Sequence, residues 1–91
     1  MRTAREKLED NKIDASEVML LDEEAFNESL IGTTMMEELR AVYDYDKMIE
    51  EYAEFHHVSL EDAADYVCYN VMRSLPYYGS KAPIIIDQYL V

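Results

Sequence analysis

Apolar residues recur at helical spacing in two neighbouring stretches. Tyr45, Met48, Ile49, Tyr52 and Phe55 line one face of a segment that Asp44 or Asp46 can cap and that should end near His56-His57. Ser59 then stands where an N-cap belongs, with Asp62 three residues on in place of the usual Glu, and Val58 is placed to staple against Ala63. Leu60, Ala63, Ala64, Val67, Cys68, Val71, Met72 and Leu75 follow, repeating the i, i+3, i+4, i+7 pattern until Pro76. The proline ring cannot continue the backbone ladder, so the helix stops there.

Other stretches read as strands. Ser29–Thr34 and Leu39–Tyr43 predict a hairpin joined by about four residues, longer than the favoured two-residue turns. Tyr77-Tyr78-Gly79-Ser80 predicts a turn, and Pro83-Ile84-Ile85-Ile86 opens a last strand. Its isoleucines are apolar on both faces, which predicts a place inside the sheet beside the hairpin. Towards the N-terminus, residues 3–11 hold helix formers with little to bury, so a short helix prone to fray is expected, and the first 15 residues are the least secured part. Ser16 could cap a further short turn, and Val18–Leu21 fits helix or strand equally. The expected fold is α+β: a small three-stranded sheet, made of the hairpin and the C-terminal strand, with a helix pair on one face and a short N-terminal helix.

Length and composition fit this picture. Ninety-one residues, 49% of them apolar, can form one domain over 1–91 with a modest core. A formal charge of −12 argues against direct contact with nucleic acid or an anionic membrane and favours basic proteins as partners. The charge is uneven: residues 1–12 carry +1, and all the excess acid lies beyond them. One cysteine, no apolar run long enough to span a bilayer and no secretory signal point to the cytoplasm.

Catalytic chemistry finds little support. His56 and His57 are adjacent on a helix and point about 100° apart, so they do not readily share a metal ion. Cys68 sits within the apolar pattern of the second helix and is expected to be buried and structural. Two glycines cannot build a phosphate-cradling loop, and Tyr66, Tyr69, Tyr77 and Tyr78 lack the basic groove that base stacking requires. Arg73, near the helix end, is expected to satisfy terminal carbonyls or pair with an acid from the other helix. Two features suggest contact with a partner. Asp46, Glu50 and Glu54 stand four apart opposite the apolar face of the first long helix, with Glu51 beside them and only Lys47 opposing. Like charges at that spacing cost a helix about 0.2–0.5 kcal/mol per pair. The other feature is apolar: Met35 and Met36 in the hairpin loop, and Tyr77-Tyr78 in the turn.

Several segments resemble a group of small acidic proteins from prophages and mobile elements of Gram-positive gut bacteria. They are Leu30–Thr34, Arg40–Met48 with its Tyr-Asp-Tyr-Asp-Lys-Met run, Glu61-Asp62-Ala63, Tyr69-Asn70, Arg73–Gly79 with Leu-Pro-Tyr-Tyr-Gly, and Ala82–Ile86. Where that group carries a tight Asp-Gly-Arg turn, this chain has Met35-Met36-Glu37-Glu38-Leu39 before Arg40, so its hairpin connection is longer. The resemblance implies no enzyme activity, catalytic residue, metal or cofactor. It implies instead a phage protein that binds a basic host protein, such as a CRISPR effector, in the manner of anti-CRISPR proteins that present carboxylates where phosphates would sit. The alternative is a small adaptor that uses Tyr77, Tyr78 and the methionine loop, with the acids serving solubility.

Overall fold

Side chains from both halves of the chain meet in one core cluster in which Phe26, Tyr43, Met48 and Val67 are almost completely buried. The computed structural model describes residues 3–35 and 38–87. Helix α1 (Ala4–Asp10) is capped by Thr3, whose hydroxyl accepts from the Glu6 N–H at 3.1 Å. The helix is expected to bury little, and it buries only two residues, but the rest of the chain anchors it. Ala4 and Leu8 are buried, the Lys7 ammonium donates to the carbonyls of Asn27 (3.1 Å) and Leu30 (2.7 Å), and Asn27 Oδ1 accepts from the Ala4 N–H. Two apolar residues four apart suffice when the rest of the chain supplies polar anchors.

The next segment departs from the expected turn. Asp14, not Ser16, caps a short 3₁₀ turn, Ala15–Glu17, taking hydrogen bonds from both the Ser16 hydroxyl and its N–H. Those bonds hold the Asp14 carboxyl below its ordinary pKa. Residues 18–21 are neither helix nor strand and insert Val18 and Leu21 into the core. A 3₁₀ segment, Glu24–Ser29, then buries Ala25, Phe26 and Ser29, and packs against α2 (Tyr45–His56).

Strands β1 (Leu30–Thr33) and β2 (Ala41–Asp44) pair antiparallel, Thr33 opposite Ala41 and Gly32 opposite Val42, with an irregularity between Leu30 and Gly32. The loop base is closed by Thr34, whose N–H donates to the Arg40 carbonyl at 3.0 Å and whose hydroxyl accepts from the Arg40 N–H. Strand β3 (Ile84–Ile86) lies parallel to β2, in the order β1-β2-β3. It therefore forms an edge, which corrects the expected interior place. Three β-branched residues favour a strand, but β2 already pairs with β1 on its other side. Ile86 is accordingly 36% exposed.

Asp44 ends β2 and caps α2, accepting from the Lys47 N–H at 3.1 Å. His57 closes α2 with a left-handed backbone. Ser59 caps α3 (Leu60–Tyr66) as its position foretold, accepting from the Asp62 N–H at 3.0 Å. The helix continues as a wider π-helical turn, Val67–Met72, and the helical path does not stop at Pro76 as expected. The proline takes the start of a 3₁₀ stretch, Leu75–Lys81, where no N–H is needed. The expected turn Tyr77-Tyr78-Gly79-Ser80 lies within that stretch, which bends at Gly79 (φ 80°). No helix among the described residues is long and apolar enough to cross a membrane.

Candidate functional site

The acidic row is built as its spacing requires. Met48 and Ala53 commit one side of α2 to the interior, which leaves Asp46, Glu50 and Glu54 exposed, with Glu51 partly covered beside them. Tertiary structure extends the row. The parallel register sets Asp44 opposite Ile86, so the next residue, Asp87, arrives at the start of α2. Partial desolvation raises the Asp87 carboxyl above its ordinary pKa, and the charges of Asp46 and Asp44 push it the same way, as does a hydrogen bond with Asp46. Sequence reasoning missed Asp87 because its only local signal is an acid after an isoleucine, and the β2-β3 pairing that places it is not written in either segment.

The apolar candidates divide. Tyr77 is 90% exposed, whereas Tyr78 packs against the core cluster. Both line an open groove of 430 Å³ with Met19, Leu20, Asp22 and Ser74. Met35 is completely exposed and does not pack back on the sheet, while Met36 lies outside the described residues. The hairpin loop and the run into β3 are tied together by Arg40, whose Nε donates to the Ala82 carbonyl at 2.7 Å. The sheet thus has two unlike ends, with Asp44 and Asp87 at one and the loop base with Ala82 at the other.

Other expected roles change. Cys68 is exposed, which overturns its expected burial: the core side of α3 and its extension is Ala63, Val67 and Val71, and the cysteine lies off that line. Among the described residues Arg73 reaches neither of its two expected kinds of partner but stacks over the Tyr69 ring, 4.8 Å from its centroid. Tyr66 packs at the edge of the core, stacked on Tyr52 at 4.2 Å, and Tyr52 in turn touches the Phe26 and His56 rings. His56 Nε2 lies 3.2 Å from Glu23 Oε1, so it joins α2 to the segment before Phe26. Among the described residues no group of three or more His, Cys, Asp or Glu side chains is arranged to hold a metal ion. A comparison with known protein families, curated proteins and solved structures finds no match to this chain.

Proposed function

We propose that this chain is a non-catalytic binding protein that uses the acidic face of α2 to occupy a basic, nucleic-acid-binding surface of another protein. The observation that carries the reading is the row Asp46, Glu50 and Glu54, exposed on one side of α2 and extended by Asp87. Asp46 lies in the first turn, where the helix dipole favours an acid, but Glu50 and Glu54 gain nothing from that and the i, i+4 pairs of the row repel. A partner rich in Lys and Arg gains a line of carboxylates about 6 Å apart along the helix, a run of negative charge of the kind a phosphate backbone offers. The resemblance to prophage proteins fits a target in a bacterial cytoplasm, a CRISPR effector among the candidates.

The test is affinity capture from host lysate with the parent chain and with a D46N/E50Q/E54Q variant, at low and at high salt, followed by competition of DNA for the captured protein. We expect the variant to fold with stability equal to the parent's or higher by up to about 1 kcal/mol. It should lose its partner, and the parent's capture should fall steeply with salt. Equal capture by parent and variant at low salt would overturn the reading.

The exposed Tyr77 favours a second reading, an adaptor that anchors a partner side chain in the groove beside Met19 and Tyr78. Binding that resists salt and disappears in Tyr77→Ala would support it.

A further inference from the structure

The outer face of α3 and its π-helical extension presents apolar side chains that the described residues leave open or only partly covered. Leu60 is 60% exposed and Met72 38%, with Cys68 exposed between them and Ala64 half-buried. These four stand four residues apart and form one row. The adjacent row is Glu61, Asp65, Tyr69 and Arg73, where Tyr69 is 57% exposed and carries the Arg73 guanidinium on its ring. Arg73 is the only Lys or Arg between Lys47 and Lys81. The face is therefore graded, with acids at the start of the helix and a single cation at its end.

We propose that a second copy of this chain packs on this face, α3 running antiparallel to α3 about a two-fold axis. Leu60 then meets Met72 of the partner subunit, and Ala64, the smallest side chain in the row, lets the helices approach opposite Cys68 of the partner subunit. Arg73 meets Glu61 of the partner subunit, and symmetry repeats the contact. A parallel pair would set Arg73 against Arg73 and acids against acids, so the charge gradient selects the antiparallel arrangement. The contact is a helix pair about 20 Å long. A single helix face engages far fewer than the roughly 20–30 residues a side of a stable complex, so the dimer forms only as concentration rises. Two copies carrying −12 each repel through solvent, so salt strengthens this association. The acidic-row contact proposed above has the opposite salt dependence, and the two proposals stand or fall separately.

Sedimentation of the full chain across the micromolar to millimolar range, at low and high salt, tests it. We expect a reversible monomer–dimer equilibrium that shifts towards dimer with salt. Met72→Glu should weaken it at least about tenfold, with an unchanged melting temperature because Met72 is exposed; Leu60→Glu gives the same readout if Met72→Glu melts early. Arg73→Glu should weaken it, and adding Glu61→Arg to the same chain should restore it. A chain that stays monomeric throughout, a dimer indifferent to both Met72→Glu and Leu60→Glu, or a charge-swapped chain that fails to recover would each overturn the proposal.

Discussion

The two helices of the pair use similar apolar patterns to different ends. Helix α2 is held on several sides: it follows β2 directly, packs on Glu24–Ser29 and touches α3, so Met48 is completely buried. Helix α3 has the longer apolar pattern yet buries only Ala63, Val67 and Val71 deeply, leaving Leu60, Cys68 and Met72 outside. Eight apolar positions cover more of a helix than one neighbouring surface can take. Periodicity thus identifies a helix and its approximate face, but the surroundings set how much of that face is enclosed. The surplus is a property of α3 that solvent must tolerate or another molecule must cover.

Paired truncations give the sharpest test of this contrast. Met48→Ala should destabilise by about 2–5 kcal/mol, because a buried thioether leaves a cavity, whereas Met72→Ala should change stability by no more than about 0.5 kcal/mol. Urea unfolding of both variants measures the difference, and similar losses would show that α3 is as enclosed as α2.

The next effect concerns how the chain before α2 is held. The Tyr43 hydroxyl, buried beneath the sheet, accepts from the Leu21 N–H at 3.1 Å. Tyr43→Phe leaves that donor unsatisfied and should cost about 1–3 kcal/mol. Burial pushes the Tyr43 phenol from 10.0 to about 12. An unfolded chain ionises first, so stability is intact below pH 10 and is lost as pH rises from 10 towards 12. Tyr43→Phe should therefore lose stability at neutral pH and also show less alkaline sensitivity than the parent in melts taken across that range. An unchanged alkaline slope would place the sensitive group elsewhere.

The smallest effect belongs to α3. Cys68→Ser should shift stability by no more than about 0.5 kcal/mol, and a maleimide should label native Cys68 at a rate close to that of the unfolded chain. Slow labelling would mean that something shields this face even in the monomer.

Much of the candidate site was legible beforehand. Fixed spacing in one helix is local geometry, so Asp46, Glu50 and Glu54 could be assigned to one side of α2 from their numbers alone. Tyr77 and Tyr78 could be proposed together but not told apart. Neighbours on one 3₁₀ stretch point in different directions, and only the packing of Tyr78 against the core cluster decides which one is covered.

The sequence by itself determined the features that depend on near neighbours: the Ser59 cap, the α2 face and the succession of helices and strands that makes an α+β domain. Caps and helical faces are decided within a few residues, where covalent connection leaves little choice. Tertiary structure alone decided that α1 is anchored through Lys7 and Asn27, that β3 is an edge strand parallel to β2, that Asp87 joins the acidic row and that Cys68 faces out. Each of these pairs segments far apart in the chain. The free energy that selects such pairings comes from the shape and burial of the whole core, which no single stretch of sequence encodes.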